Sequence, residues 1–451
     1  MTNDAKIKFH SGANSVTGVF FALHVGGKII AIDCGSLQGS EERELQNYDS
    51  FPINPRDIDA LVITHAHGDH IGRVPKLVRE GFSGTIYSTT PTRQLSQIMF
   101  YDALSIMQND KDIREPLFLK EDIEKTMGQW KELPYRYENK LSARLSFSLH
   151  NSGHILGSAM VKFSYCGENI LFTGDMGNNP DPLLPVAEKL DDIDYLIIES
   201  VYGGRNHPTR QERIIELERA IEHTIKNQGV LLIPTFALER AQSLLYIMNE
   251  LVEQNRISRI PVFFDSPLAI KITDVFRNSV EYFNQSVKNR LVADPDVFDF
   301  PGLVETPTRD DSKSIFSEPN PKIIIASAGM SAAGRIVFHE KIYLSQEDTT
   351  ILFIGYQAIG TVGRMIQDGV KKIELLGKEI DIRANIQTIQ GFSAHADQNT
   401  LVDFVSGVDG RLKKVFCIGG DTENANILAS VLRDKLAVNS STVSDGEEFV
   451  L

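Results

Sequence analysis

The chain has 451 residues, of which 42% are hydrophobic and 24% charged, and its formal net charge is -14. These values exclude a disordered chain and predict a folded protein large enough for two hydrophobic cores. The acidic balance also disfavours a general binder of nucleic-acid backbones, so an RNA partner would need basic residues gathered in one place.

Three widely separated cysteines predict no disulfide framework and suit a reducing compartment. No apolar run approaches the roughly 20 residues that span a bilayer, and the first residues lack the pattern of a signal peptide. We therefore expect a cytoplasmic protein without a membrane segment.

Short β-branched or aromatic runs alternate with longer amphipathic segments along the chain. This alternation is typical of α/β layering rather than of a β-sandwich or a helical bundle. A stretch rich in Pro, Asp and Ser, residues 294–320, predicts an irregular loop. The predicted strands lie, in chain order, in KIIAID (28–33), DALVIT (59–64), ENILFTG (168–174), DYLIIES (194–200), GVLLIPT (229–235), IPVFFDS (260–266), PKIIIAS (321–327), TTILFIG (349–355) and KKVFCIGG (413–420).

The segment THAHGDH, Thr64 to His70, follows the second of these strands and opens a helical segment. Three imidazoles and one carboxylate within six residues are costly to bury without partners. His65 and His67 point the same way, while Asp69 and His70 form a second pair on the adjoining turn. The segment therefore predicts a loop at a strand end that can hold two metal ions.

Further ligands are expected at other strand ends, because one loop cannot complete two coordination spheres. His154 in NSGHILGSA lies between glycines that allow a close backbone approach. Asp175 directly follows an apolar strand and is placed to bridge two metals, and Asp33 follows another, where its carboxylate can orient a ligand. Each residue alone has a simpler explanation as a turn or a helix cap, but their joint order is specific.

That order resembles the four motifs of the metallo-β-lactamase superfamily. The segment IIESVYGGRNH narrows the resemblance to the β-CASP branch, which contains RNA- and DNA-processing nucleases, and Glu199 matches the acid that defines the branch. In outline the chain resembles the short bacterial two-domain ribonucleases of this branch. Similar segments cover nearly the whole chain: PTFALERAQ, FFDSPLA, ASAGMSAAGRIVFH, FIGYQAIGTVGR and GFSAHAD.

The resemblance implies an α/β fold, a metallo-β-lactamase αββα sandwich with an inserted α/β β-CASP cap domain. The metallo-β-lactamase domain would comprise residues 1–205 and 388–451, and the β-CASP domain residues 206–387. It further implies an active site in the cleft between the domains and, at the level of the family, a homodimer.

The same resemblance implies hydrolysis of RNA phosphodiester bonds by a metal-activated water, as an endonuclease and also as a 5′-exonuclease. The ligand types suit zinc and leave manganese and iron open. Two metal sites are implied, formed by His65, His67 and His154 in the first, by Asp69 and His70 in the second, and by Asp175 as the bridge.

His395 in GFSAHAD would protonate the leaving sugar oxygen and Glu199 would orient it, so Asp69, Glu199 and His395 are the expected catalytic residues. Arginines and small residues at strand-to-loop turns are candidate contacts with RNA phosphates, although each arginine also suits a structural ion pair. These candidates are Ser327, Gly329, Ser393, Arg240, Arg335 and Arg364.

The chain departs from the family pattern at one position. In these nucleases a strand near the C-terminus ends in His-Gly-Glu, and the histidine completes the second metal site; here it ends in Gly419, Gly420 and Asp421. Three explanations stay open. In the first, a water replaces the missing histidine and the second metal binds weakly. In the second, Asp421 or Glu423 supplies the missing ligand, and in the third, Cys417 supplies it.

Three classes of function also stay open. The first is the ribonuclease. The second is a non-catalytic or regulatory RNA-processing subunit with an incomplete second metal site, which Gly419 favours and the other intact residues disfavour. The third is a small-molecule hydrolase, which the inserted domain, Glu199 and His395 disfavour.

Overall fold

The computed structural model describes residues 5–110, 115–408 and 411–451. The chain divides into two units, Met1–Asn206 with His395–Leu451 and His207–Ala394. The first unit is built from two separated parts of the chain, and the second unit is inserted between them. The domain boundaries at 205 and 387 stay a prediction; both precede the boundaries of these units.

The described residues form two seven-stranded sheets, a six-stranded sheet and a two-stranded sheet. In spatial order the first comprises β22 (Glu448–Val450), β1 (Lys6–Ser11), β2 (Phe20–Val25), β3 (Lys28–Ile32), β4 (Ala60–Val62), β5 (Thr85–Ser88) and β6 (Trp130–Glu132). The second comprises β21 (Ser440–Thr442), β20 (Lys414–Ile418), β11 (Tyr195–Glu199), β10 (Glu168–Phe172), β9 (Ala159–Tyr165), β8 (Leu145–Asn151) and β7 (Asn139–Lys140). The third comprises β14 (Leu303–Glu305), β13 (Val262–Asp265), β15 (Lys322–Ala326), β12 (Val230–Pro234), β16 (Thr349–Phe353) and β19 (Asn385–Thr388), and the fourth β17 (Lys372–Leu375) and β18 (Lys378–Asp381).

The helices follow the strands in chain order. They are α1 (Glu41–Leu45), α2 (Gly68–Ile71), α3 (Val74–Arg79), α4 (Thr90–Asn109), α5 (Lys120–Gly128), α6 (Arg210–Lys226), α7 (Arg240–Glu253), α8 (Pro267–Arg277), α9 (Gln285–Arg290), α10 (Arg309–Ser314), α11 (Ile336–Tyr343), α12 (Val362–Gln367), α13 (Gln398–Ser406) and α14 (Thr422–Leu436). Short 3-10 turns occupy Gln46–Tyr48, Pro55–Asp57, Val280–Tyr282 and Ile315–Ser317. Several helices begin at a side-chain cap, such as the capping box of Thr209 and Glu212 at the start of α6.

Apolar side chains from both seven-stranded sheets pack between them and form the main core of the first unit. The ring of Phe9 on β1 lies 5.9 Å from that of Phe416 on β20, and the rings of Phe21 and Phe172 lie 6.5 Å apart. Burial alternates along most of β8, as expected for a strand with one face in a core.

Helices cover the outer face of the second sheet. Leu401 of α13 and Leu428 of α14 pack with Leu171 of β10 in a separate apolar cluster. On the first sheet, α4 contacts β6, and α3 and α5 pack on each other with buried side chains. The predicted α/β class and the helix–sheet–sheet–helix layering of the first unit are confirmed.

The second unit is built on the six-stranded sheet, in which every neighbouring pair is parallel. Its central strands β12 and β15 are buried along their whole length, and their sequences VLLIP and KIIIA are almost entirely apolar. Such continuous apolar runs are typical of parallel strands with helices on both faces.

Residues 294–320 are less irregular than predicted. They contain the edge strand β14 and the short helix α10, whose capping box joins Thr308 and Asp311. The prediction was wrong here because a three-residue edge strand has too few residues to show a period of its own. Within the described parts of the chain, none of the helices has the length and apolar character needed to cross a bilayer.

Candidate metal centre

The candidate residues follow the ends of strands in the first unit. Residues 64–70 come after β4, His154 after β8, and Asp175 after β10, while Glu199 is the last residue of β11 and Gly419 follows β20. The pairs β3–β4, in the first sheet, and β10–β11 and β11–β20, in the second, are parallel, so within each sheet the C-terminal ends of these strands lie at one edge. Loops at such an edge are where side chains from distant parts of the chain meet.

Four ligand atoms converge in this region. The Nδ1 atom of His67 lies 3.2 Å from the Nε2 atoms of both His65 and His154. The Oδ2 atom of Asp175 lies 3.4 Å from His65 Nε2 and 3.5 Å from His154 Nε2. A tetrahedral zinc ion with bonds of about 2.0–2.1 Å has ligand atoms about 3.3–3.4 Å apart, so the four residues fit one ion.

Hydrogen bonds behind this cluster orient His65. The two carboxylate oxygens of Asp33 accept from the backbone N–H and the hydroxyl of Thr64, each at 2.8 Å. The Thr64 oxygen lies 2.9 Å from Nδ1 of His65 and, having donated its proton to Asp33, accepts from that nitrogen. His65 Nε2 therefore keeps a lone pair for a cation. The motif alone gave Thr64, its first residue, no role, because the contact with Asp33 depends on the fold.

The protonation states of these four side chains favour the binding of a metal cation. Burial, and after it repulsion from neighbouring imidazoles, lowers the pKa of the three histidines of this cluster, His65, His67 and His154. Burial raises the pKa of Asp175, but the charges of His70 and His395 outweigh it and hold that pKa well below its usual range. The cluster thus presents neutral imidazoles and one carboxylate, which are the forms that bind metals.

His70, Asp69 and Asp175 form a looser group. Nε2 of His70 lies 3.4 Å from Oδ2 of Asp175 but 4.0 Å from Oδ2 of Asp69. Oδ2 of Asp33 lies 2.7 Å from Nδ1 of His70, and this hydrogen bond directs Nε2 toward Asp175. The structure therefore brings the second predicted ligand set together, with wider spacing than the first.

Gly419 lies beside the looser group. Its φ is 69°, and its N–H donates to the carbonyl of Ala13 at 3.0 Å. A Cβ built on Gly419 would meet only Cβ of Glu199, at 4.0 Å, among the residues that the structure describes. Gly419 lines a small cavity together with His70, Asp175 and Glu199 and with several apolar side chains. Among the residues that the structure describes, no neighbouring side chain replaces the histidine that the family pattern predicts.

The three proposed substitutes are engaged elsewhere or exposed. Cys417 is buried in the apolar cluster beneath α13 and α14. Asp421 caps α14, with Oδ1 accepting from the N–H of Asn424 at 2.8 Å, and Glu423 is exposed. Over the described ranges, neither group of candidate ligands that gathers within 4.8 Å contains any of these residues. The structure thus supports none of these three residues as a substitute ligand.

His395 and Glu199 pair next to the cluster. Nδ1 of His395 lies 3.3 Å from Oε1 of Glu199 and 3.8 Å from Oδ2 of Asp175, and its ring lies 4.6 Å from that of His154. Burial opposes the charge of His395, but Glu199 and Asp175 outweigh burial and raise its pKa to about 9. The backbone N–H of Met176 donates to Glu199 at 2.6 Å and fixes that carboxylate. His395 is therefore protonated at neutral pH.

The small residues predicted to contact phosphate lie in the second unit. Oγ of Ser327 lies 2.9 Å from Oγ of Ser266, and Ser393 is largely buried. A Cβ on Gly329 would lie 2.5 Å from the ring of Phe236, so the close packing of this turn requires glycine. The roles of Ser327, Gly329 and Ser393 in binding RNA stay predictions.

The three predicted arginines all make contacts within the second unit. Arg335 pairs with the buried carboxylate of Asp265 at 2.5 Å. Arg240 donates from Nε to the carbonyl of Phe392 at 3.1 Å, and Arg364 pairs with an aspartate one helical turn later at 2.9 Å. Arg335 and Arg364 thus form the ion pairs that were the alternative to RNA contact, whereas the contact of Arg240 is a hydrogen bond to a backbone carbonyl. Contact of the three arginines with RNA stays a prediction.

Family models of three domains match the chain. A metallo-beta-lactamase superfamily domain matches residues 22–200, a Beta-Casp domain residues 241–366, and a Zn-dependent metallo-hydrolase RNA specificity domain residues 379–443. The first range contains the histidine cluster and Glu199, and the third contains His395 and Gly419.

Three similar proteins span most of the chain. A ribonuclease from Thermus thermophilus is 36% identical over 418 residues, which cover 90% of this chain and 93% of the relative. An RNase J-like protein from Methanocaldococcus jannaschii is 31% identical over 406 residues, covering 89% of each chain. Transcription termination factor FttA from Methanosarcina mazei is 30% identical over 452 residues, covering 97% of this chain and 70% of the relative.

A solved structure shares the fold. The crystal structure of a protein of unknown function from Enterococcus faecalis aligns over 99% of this chain and 100% of its own, with a TM-score of 0.56 and 11% identity. From the domain matches and the identity to the relatives, we conclude that the chain belongs to the β-CASP branch of the metallo-β-lactamase superfamily.

Proposed function

We propose that this protein is a metal-dependent ribonuclease that hydrolyses RNA phosphodiester bonds, cutting internally and also from the 5′ end. The observation that carries the proposal is the convergence of His65, His67, His154 and Asp175 beside the protonated imidazole of His395. Membership of a family of metal-dependent RNA nucleases, with relatives named as ribonucleases, supports RNA as the substrate.

The first metal position would be held by the four convergent atoms described above. Three imidazole nitrogens and one carboxylate oxygen are donors that zinc accepts, and manganese competes for such a site. When bound, the ion would act as a Lewis acid and lower the pKa of a water toward neutral. Asp69 is proposed as a carboxylate of the second position, beside His70.

His395 would donate a proton to the leaving sugar oxygen. Its Nδ1 faces Glu199, so Nε2 is the nitrogen proposed to donate. The pKa of about 9 keeps the proton in place at neutral pH, which a general acid requires. Glu199 would hold the ring in orientation, because backbone N–H groups of Met176 and Val201 fix its two oxygens.

We propose that the second metal position binds more weakly than the first. The wider spacing of Asp69 and His70 and the missing side chain at Gly419 both support this difference. Loss of an outer contact already costs about 10–100-fold in metal affinity, and the loss of a direct ligand should cost at least as much.

The test is incubation of the purified full chain with 5′-labelled single-stranded RNA and added zinc or manganese. We expect cleavage that His67→Ala abolishes, because that imidazole contributes one corner of the cluster. His223→Ala removes an exposed imidazole of α6 and serves as the matched control that keeps activity. If the parent protein cleaves RNA with neither zinc nor manganese, the proposal of a ribonuclease is wrong.

The label also separates the two modes of cleavage. Endonucleolytic cutting yields labelled fragments of several lengths, whereas attack from the 5′ end releases labelled mononucleotide. A ladder of fragments without mononucleotide would restrict the proposal to the endonuclease.

Gly419 favours a second candidate, a non-catalytic RNA-processing subunit. Such a protein would bind RNA through the same residues without cutting it, because the second metal position stays incomplete. RNA binding that persists alongside no cleavage in any metal would favour this candidate over the enzyme.

A further inference from the structure

The turn after Glu199 is closely packed against two helices of the first unit. Cβ atoms built on Gly203 and Gly204 would lie 2.5 and 2.6 Å from the carbonyl oxygen and Oδ1 of Asn424 on α14. At Gly203 the close neighbour is backbone, so this approach requires glycine, whereas at Gly204 it is the end of a side chain. The turn is therefore anchored where β11 ends, a few residues from the proposed partner of the general acid.

A second set of contacts ties the same turn to α13. The N–H of Gln398 donates to the carbonyl of Arg205 at 3.1 Å, and Nε2 of Gln398 donates to the carbonyl of Gly203 at 2.7 Å. Tyr202 and Asp397 also form a backbone bridge. The backbone that carries Tyr202 and Arg205 is thus held from both sides.

The side chain of Arg205 is exposed and stacks on an aromatic ring. Its guanidinium carbon lies 4.6 Å from the ring centroid of Tyr202. Across the described ranges, no carboxylate lies within ion-pairing distance of this guanidinium, in contrast to Arg335 and Arg364. A cation held on a ring face keeps its N–H groups directed to solvent and loses less freedom on binding an anion.

The same ring connects Arg205 to the proposed general acid. The ring of Tyr202 lies 6.2 Å from that of His395, at an angle of 44°. Arg205 is therefore one ring away from the group proposed to protonate the leaving oxygen. A substrate phosphate next to the scissile bond would lie on this side.

We propose that Arg205, stacked on Tyr202, binds a phosphate of the RNA on the leaving-group side of the scissile bond. Guanidinium matches a phosphate through two parallel N–H donors, which an ammonium group does not reproduce. The inference deepens the proposed ribonuclease function and rests on it. The guanidinium of Arg205 would then be a local positive charge that contacts RNA on an otherwise acidic protein.

The test measures RNA binding without cleavage, using the full chain in the His67→Ala background. Fluorescence anisotropy with labelled single-stranded RNA gives Kd over a series of salt concentrations. Because each phosphate contact with single-stranded RNA contributes about 0.7 to the slope of log K against log salt, Arg205→Ala should flatten the slope by about that amount. Loss of one charged hydrogen-bonding group should also weaken binding roughly tenfold.

Four further variants, one of them a control, separate the proposed contact from a structural effect. Arg205→Lys should keep the slope and lose part of the affinity, because the charge stays while the planar donors are lost. Tyr202→Ala should weaken binding much as Arg205→Ala does, and the double variant should be no weaker than either. Arg259→Ala removes an exposed arginine of the second unit and should change neither Kd nor the slope.

An unchanged slope and Kd in Arg205→Ala, with a parent that binds RNA, would overturn this inference and leave the ribonuclease proposal standing. A parent that binds no RNA at any salt concentration would overturn both. A loss of affinity in Arg205→Ala at constant slope would show a structural effect and also overturn the phosphate contact.

Discussion

Asp33 contacts two parts of the candidate metal centre at once. One carboxylate oxygen accepts a hydrogen bond from the backbone N–H of Thr64. The other accepts hydrogen bonds from the Thr64 hydroxyl and from Nδ1 of His70. A single buried carboxylate thus orients His70 directly and His65 through a hydroxyl. Such outer contacts usually matter for metal affinity, because they fix which nitrogen faces the ion.

The charge of Glu199 should set the alkaline limit of activity. His395 must be protonated to act as an acid, so kcat/KM should fall as the pH rises through its pKa, which is about 9. Glu199→Gln keeps the shape of the side chain and removes its charge. The fall in kcat/KM should therefore move to lower pH by about one unit or more. A pH profile of RNA cleavage checks the shift. An unchanged profile in a variant of unchanged Tm would contradict the pairing.

Gly419 should limit the number of metal ions that the protein retains. Protein purified without added metal should hold about one ion per chain by elemental analysis, because only the first ligand set is compact. Gly419→His should raise the number toward two by adding an imidazole. Gly419→Ala has the same backbone strain at a φ of 69° and no ligand, so it should stay at about one. Two tightly held zinc ions in the parent protein would contradict the expectation.

At the scale of elements, helix α11 buries a carboxyl group that no catalytic role requires. The hydroxyl of Ser331 donates to Glu340, whose side chain is fully buried. Burial raises the pKa of Glu340 from 4.5 to about 8, although the Ser331 hydrogen bond opposes the shift. The folded protein therefore holds this proton when the unfolded chain has already released it.

This difference predicts a pH-dependent stability. Because the folded pKa exceeds the unfolded one, the free energy of unfolding should be highest below about pH 4.5 for this group and fall as the pH rises to about 8. At about 1.4 kcal/mol per pKa unit the full loss is a few kcal/mol. Glu340→Gln should remove most of it, whereas Glu347→Gln, at an exposed position, should not. Denaturant unfolding at pH 5 and pH 8.5 measures both variants; parallel curves for parent and Glu340→Gln would exclude the effect.

Element by element, the sequence predicted the fully buried parallel strands well, and it missed the longer antiparallel strands β1, β2, β8 and β9 as well as short edge elements. The runs VLLIP and KIIIA identify β12 and β15, because parallel strands covered on both faces are apolar throughout. By contrast, β14 is an edge strand that pairs with β13, and α10 begins at a capping box. Three residues at a sheet edge form a strand because a neighbour supplies hydrogen bonds, and no local pattern shows that.

At the scale of the whole molecule, metal binding should stabilise the unit that contains the cluster. The four ligands come from the loops after β4, β8 and β10, so an ion would bind the folded unit and not the unfolded chain. At a free metal concentration of about 100 times Kd the gain is about 2.7 kcal/mol, which raises Tm by roughly 5 °C or more. Calorimetry before and after chelation checks this shift. Asp175→Ala should show none, and an equal Tm with and without metal in the parent would contradict it.

Two features of the whole molecule stay predictions: the homodimer and the domain boundaries at 205 and 387. Light scattering of the purified chain tests the first. With a net charge of -14, the protein can bind RNA only through a few local cations. The slope of log affinity against log salt concentration should therefore correspond to only a few phosphate contacts.

The sequence by itself determined the α/β class, the family and the candidate residues for the chemistry. These rest on local signals, since apolar strands, a cluster of histidines in one loop and acids at strand ends are visible without the fold. The departure from the family pattern at Gly419 was also visible in the sequence, because it concerns a single residue in a motif. What the family pattern implied for each ligand remains a proposal about this chain.

Only the tertiary structure decided how those residues meet. Asp33 reaches His70 across 37 positions in the chain, and His154 reaches His67 across 87. The structure also showed Arg335 engaged with Asp265. Strand order and loop geometry set such contacts, and local periodicity does not contain them. For the same reason the stacking of Arg205 on Tyr202 beside His395 became visible only once β11, α13 and α14 were packed together.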